Sequence, residues 1–197
     1  MVQLNSPGVP RGQPFTQFVN KGNLATGVGA RRDQVRIADI NGDGRADYII
    51  VHDDSSADLW MNLPAADGSG LPTYVEFNQI ASGVGREGAG VVFADLNADG
   101  YADYVYVGPG GSLDLYQNVQ TPGGNGRPGW SYQGTVTTGV GGVRNQTTFG
   151  DVNHDGKMDY LQVDLTSGET NAWLNTFTEN NLTTGMEIEF HDLNVSP

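Results

Sequence analysis

The chain has 197 residues, enough for one sizeable domain or a repeat array, and only 37% of them are hydrophobic. With 29 glycines, no cysteine and a formal net charge of −13, long helices, a disulfide framework and thiol chemistry are excluded. Such an acidic surface also disfavours nucleic acid, whose phosphates need Lys and Arg.

Along the chain, the first stretch, "MVQLNSPGVPRGQPF", holds no apolar core of signal-peptide type. Either a signal has been removed or the protein has none. No segment approaches the length of a membrane span. Residues 1–14 read as an N-terminal arm and 15–197 as one repeat domain. N-x-S/T triplets at Asn145, Asn181 and Asn194 give weak support to secretion, and an extracellular location is the expectation.

"PFTQFVNKGNLATGVG" reads as the outer strand of an incomplete unit, with Phe18 nine residues before Gly27. Then "VRIAD" leads into "DINGDGRAD", and "DYIIV" leaves it. "SADLWMN" follows with Trp60 and Asn62, then a turn "PAADGSGLP" and the run "TYVEFNQIA". These runs are short, β-branched or aromatic, and bounded by Gly, Asn, Asp or Pro, which predicts four strands. Everything then repeats. Asp39, Asp95 and Asp151 are 56 residues apart, as are Gly27, Gly83 and Gly139, and Phe18, Tyr74 and Trp130. Tyr116 and Asn118 match Trp60 and Asn62, and Trp173 and Asn175 match them one residue late. Four-stranded units of this period describe the blades of a β-propeller. The fold expectation is all-β, with three complete blades of about 56 residues and partial end strands. "IEFHDLN" near the C-terminus resembles "VVFADLN", so it reads as the inner strand of a further blade, with Asp192 and Asn194 opening a fourth loop. Propellers commonly need four to eight blades. Three readings are therefore open: a fragment, an assembly that closes through partners such as a homo-oligomer, or an unusual closure using the two end strands; two copies of about 3.5 repeats would make seven blades.

The acidic loops carry the chemistry. Counting Asp39 as position 1, oxygen-bearing side chains stand at positions 1, 3, 5 and 9: Asp39, Asn41, Asp43 and Asp47. Gly44 at position 6 allows a sharp turn, and Arg45 at position 7 offers its backbone carbonyl. The second loop supplies Asp95, Asn97, Asp99 and Asp103 with Tyr101 at position 7. The third supplies Asp151, Asn153, Asp155 and Asp159 with Lys157 there. This is the front half of a calcium loop, hard oxygens wrapped around a hard cation. An EF-hand is excluded, because position 12 is Ile50, Tyr106 or Gln162 rather than Glu, and a β-run follows instead of a helix. Zinc is disfavoured by the lack of cysteine and of histidine at ligand positions, and magnesium by the all-protein oxygen cage. About three calcium ions are expected, one per complete repeat, and three divalent ions would bring the net charge from −13 to about −7. Their main role would be to pin each hairpin and link metal binding to folding.

The motifs "IADINGDGRADYIIV", "FADLNADGYADYVYV" and "FGDVNHDGKMDYLQV" resemble the FG-GAP/VCBS repeat family, over about residues 15 to 195. The resemblance implies calcium-bearing loops in the blades of an integrin-like propeller. It is nearest the fungal type of that family, found as mushroom lectins that bind sugars between blades and as appendages on secreted hydrolases. It implies binding or adhesion and no reaction. The residues agree. His52, His154 and His191 have no periodic counterparts, no Ser or Cys stands in a nucleophile context, and the Asp clusters are assigned to metal. Trp60, Tyr116 and Trp173 fit packing between blades better than sugar stacking, while Asp58, Asp114 and Asn171, two residues earlier, could reach a groove. The expected function is a calcium-stabilised, carbohydrate-binding, lectin-like module. The alternative is a non-catalytic interaction module of a larger secreted protein, with a protein partner.

Overall fold

The computed structural model describes residues 22–23, 28–68 and 71–177, and the backbone of 190–192. It is all-β, with three four-stranded antiparallel sheets. The first blade comprises β1 (Val35–Ala38), β2 (Asp47–Val51), β3 (Ser56–Pro64) and β4 (Pro72–Ser82). The second comprises β5 (Val91–Ala94), β6 (Asp103–Val107), β7 (Leu113–Asn118) and β8 (Trp130–Thr137). The third comprises β9 (Thr147–Gly150), β10 (Asp159–Val163), β11 (Thr170–Asn175) and β12 (Phe190–Asp192). Each sheet runs in chain order from inner to outer strand. A single 3-10 turn precedes every inner strand, at Arg32–Gln34, Gly88–Gly90 and Arg144–Gln146.

Four strands per repeat is what the period-two runs predict. The chain ends differ from the sequence expectation. Phe190–Asp192 is not the inner strand of a fourth blade. It pairs with β11, Trp173 opposite Asp192 and Asn175 opposite Phe190, and so completes the third blade as its outer strand. The match of "IEFHDLN" to an inner strand is local, whereas an unpaired β11 edge offers a whole row of backbone hydrogen bonds. The proposed leading strand and the arm at 1–14 lie outside the described residues, as does Asn194.

The core lies between blades, not within one. Residues alternate across each pleat, so every blade has an aliphatic face and an aromatic face. Ile49, Val51, Ala57 and Leu59 of the first blade pack on Phe93, Tyr104 and Tyr106 of the second. Val105, Val107, Leu113 and Leu115 of the second pack on Phe149, Tyr160 and Trp173 of the third. The tyrosines also tie the blades by polar bonds: the Tyr104 hydroxyl donates to the Ser55 carbonyl at 2.8 Å and that of Tyr160 to Gly111 at 3.2 Å. Burial of a ring and satisfaction of its hydroxyl coincide at each junction.

Candidate metal loops and the rim cleft

Each acidic loop joins the two innermost strands of its blade, and all three fold alike. The first carboxylate folds back on the loop's own backbone. Asp39 accepts from Gly42 N–H at 2.8 Å and Gly44 N–H at 2.7 Å. Asp95 accepts from Ala98 and Gly100 at 2.7 and 2.9 Å, and Asp151 from Asp155 and Gly156 at 3.1 and 3.0 Å. The amide of the third position donates to the fifth carboxylate: Asn41 to Asp43 at 3.0 Å, Asn97 to Asp99 at 2.8 Å, Asn153 to Asp155 at 3.1 Å. The glycine at position 6 is left-handed every time, with φ of 80°, 86° and 90° at Gly44, Gly100 and Gly156. A side chain there would strain the loop.

The ninth-position carboxylates behave differently. Asp47, Asp103 and Asp159 are fully buried. One oxygen of each accepts the N–H of the second loop residue (Ile40, Leu96 or Val152, at 2.9, 3.0 and 2.9 Å). The other accepts the N–H of the asparagine that follows the repeated aromatic (Asn62, Asn118 or Asn175, at 2.7, 2.9 and 2.8 Å). Burial pushes Asp47 up to about 6 and Asp103 up to about 7, against the lowering pull of these N–H donors. Asp95 is also raised, again chiefly by burial.

Position 7 was expected to matter only through its carbonyl. The structure gives its side chain a role as well. Arg45 forms an ion pair with Asp43 and Lys157 with Asp155 at 3.2 Å, so two loops carry an internal cation. Tyr101 carries none and instead lies against Gly42 of the preceding loop, where an added Cβ would meet its ring at 2.7 Å. The repeated asparagine, visible in the sequence without an evident purpose, links neighbouring loops. Asn118 Nδ2 donates to the Ile40 carbonyl at 3.0 Å and Asn175 Nδ2 to Leu96 at 2.8 Å. Beside them, Ala102 N–H reaches the Asp39 carbonyl at 2.8 Å and Met158 N–H reaches Asp95 at 2.9 Å.

Among the described residues, no three Asp, Glu, His or Cys side chains stand converged as a ready-made metal site; the carboxylates are turned toward backbone N–H groups. The donor set still suits a hard cation. It is all oxygen, it sits on a loop already turned at its glycines, and each carboxylate oxygen has a further lone pair. Positions 1, 3, 5 and 9 and the carbonyl of position 7 would hold such an ion, which would supply charge compensation to the buried ninth carboxylate.

The family model for the FG-GAP-like repeat matches residues 39–106 and 95–161. This chain belongs to the FG-GAP-like repeat family. Its repeats make it a β-propeller-type interaction module, and both matched stretches begin at a first-position aspartate of an acidic loop. No curated protein matches the chain significantly.

At the opposite end of this FG-GAP-like module, where the middle strands of each blade turn, lies an open cleft of about 460 Å³. It is lined by Asp53, Gly85, Arg86, Glu87, Tyr106, Pro109 and Arg144. Arg86 lies 4.8 Å and Arg144 5.5 Å from the centre of the Tyr106 ring. Arg144 is held by the Val107 carbonyl at 2.9 Å, the Tyr106 hydroxyl at 3.0 Å and Glu87 at 2.8 Å. Arg86 pairs with the buried Asp114 at 2.6 Å, and Asp58, the counterpart of Asp114, pairs with His52 at 2.9 Å. Asp114 and Asp58, each two residues before a repeated aromatic, thus reach a basic side chain at the rim.

The aromatics themselves pack. Trp60, Tyr116 and Trp173 meet Tyr48, Tyr104 and Tyr160 edge-on at 6.0, 5.4 and 5.7 Å. Trp130 donates to the Ile80 carbonyl at 2.7 Å. Sequence reasoning did not find the cleft, because its residues come from different blades and, Gly85 apart, none of them recurs in every repeat.

Proposed function

We propose that the chain is a calcium-stabilised, carbohydrate-binding module of lectin type, acting outside the cell and without catalysis. The observation that carries this reading is the threefold recurrence of the acidic loop, with oxygen-bearing side chains at positions 1, 3, 5 and 9 and the same bonds from the third to the fifth and around the buried ninth position. A segment so rich in carboxylates is costly to fold alone, and a divalent cation at each loop offsets that cost. The rim cleft supports a ligand-binding reading through several convergent charged donors and acceptors on a preformed surface.

The test is a glycan-array screen with calcium and with chelator, repeated for Arg86→Ala. Saturable binding to a defined sugar that weakens in chelator and in the variant is the expected result. A blank array on folded protein would refute the sugar reading. One observation favours a second reading, a protein-binding module: arginines cover the Tyr106 ring, leaving charge rather than an apolar platform at the cleft. A blank array would favour that reading.

A further inference from the structure

The two internal junctions define what a blade's faces require, and the terminal faces of this three-blade unit lack it. The aromatic face of the first blade has no predecessor among the described residues. Ile37 is 59% exposed, whereas its counterpart Phe93 is 8% exposed. On the aliphatic side of the third blade, Val152 is 50% exposed, whereas its counterparts Ile40 and Leu96 are 0% and 1%. Leu161 and Val163 are likewise only half-buried, where Ile49 and Val105 are fully buried.

The polar groups are complementary as well. The two internal junctions share three donors of the later blade that meet carbonyls of the earlier one. At the leading face, among the described residues, Ala46 N–H and the Tyr48 hydroxyl make no hydrogen bond, although their counterparts Ala102 and Tyr104 do. Asn62 Nδ2 reaches only the Ala46 carbonyl within its own blade, whereas Asn118 and Asn175 Nδ2 also reach the preceding blade. At the trailing face the matching acceptors are the carbonyls of Asp151, Val152 and Gly168. Gly168 occupies the same left-handed turn position, φ 74°, as Ser55 at 68° and Gly111 at 80°, whose carbonyls receive the tyrosines.

From this pairing of apolar and polar groups we propose that the trailing face of the third blade receives the leading face of the first blade of a second copy of this chain, head to tail. Ala46, Tyr48 and Asn62 of one copy then bond Asp151, Gly168 and Val152 of the other, as the internal junctions do. A face-to-different-face contact of this kind closes into a ring when the rotation per copy allows. It continues the row of acidic loops across the joint and does not depend on the calcium or sugar readings.

Sedimentation velocity of the chain across its accessible concentration range, in calcium and in chelator, tests the proposal. The wild-type chain is expected to sediment above its 21.0 kDa monomer mass. Ile37→Lys, at the leading face, and Val152→Lys, at the trailing face, alter exposed side chains, and circular dichroism and melting curves verify their folds. Each alone should be monomeric. Their equimolar mixture should form a dimer through the one intact pair of faces and go no further. A wild-type monomer at every concentration overturns the proposal. Unchanged assembly of Ile37→Lys, or a mixture that stays monomeric, overturns it too.

Discussion

The buried carboxylates of Asp47 and Asp103 should make stability depend on pH, and calcium should alter that dependence. Asp103 is raised to about 7 and Asp47 to about 6, both first by burial. In the unfolded chain both ionise near pH 4. Between that value and the folded one the native state binds more protons than the unfolded state, so stability falls as pH rises. Between about pH 5 and 8, Asp103 contributes roughly two units and Asp47 roughly one, at about 1.4 kcal/mol each, a ceiling of ~4 kcal/mol. Relaxation and water access should roughly halve it. For a chain of this length about 2 kcal/mol corresponds to a fall in Tm of about 4–8 °C. The assay is thermal unfolding in chelator at both pH values, followed by circular dichroism. Calcium binds the ionised form, so at pH 8 it should restore the loss and more, by about 2.7 kcal/mol for each loop at a hundredfold excess over Kd. At pH 5, protonated carboxylates should blunt its effect. A chelated protein more stable at pH 8 than at pH 5, or a Tm indifferent to calcium at pH 8, would refute the reasoning.

Two further substitutions probe the junctions. Asn118→Ala removes buried donations to Ile40 and Ala102 and should cost about 2–3 kcal/mol, read as a lower urea midpoint. Within a single chain Asn62→Ala removes only the bond to Ala46, so under dilute, monomeric conditions it should cost distinctly less; equal losses there would contradict the inter-blade role. Gly88→Ala would place a methyl 1.9 Å from the His52 carbonyl and should destabilise by about 3 kcal/mol or more. Gly110→Ala, with open space around it, should be near neutral. A neutral Gly88→Ala would show that the first two blades are not held at this separation.

The blades were legible because their signals are local. Period-two runs bounded by glycine and asparagine specify strands, and a loop with oxygens at positions 1, 3, 5 and 9 specifies its own turn. Asp39, Asn41 and Asp43 meet through bonds spanning only a few residues, so spacing alone was enough to place them together. Other features needed the blades to stack. The tie from Asn118 to Ile40 spans 78 residues, and nothing in "LYQN" names its partner. Arg86, Tyr106 and Arg144 form one cleft only because a strand and two inter-blade connections converge, and none of the three recurs in all the repeats. "IEFHDLN" shows the converse: its pattern suits an inner strand, yet the open edge of β11 took Phe190–Asp192 as an outer one. The sequence by itself determined which groups each repeat would present: four strands, an acidic loop, an aromatic face and an aliphatic one. Only the tertiary structure decided which of those groups were matched. Matching is a property of the contact between blades, where burial raises the cost of every unpaired polar group, and no single repeat contains that contact.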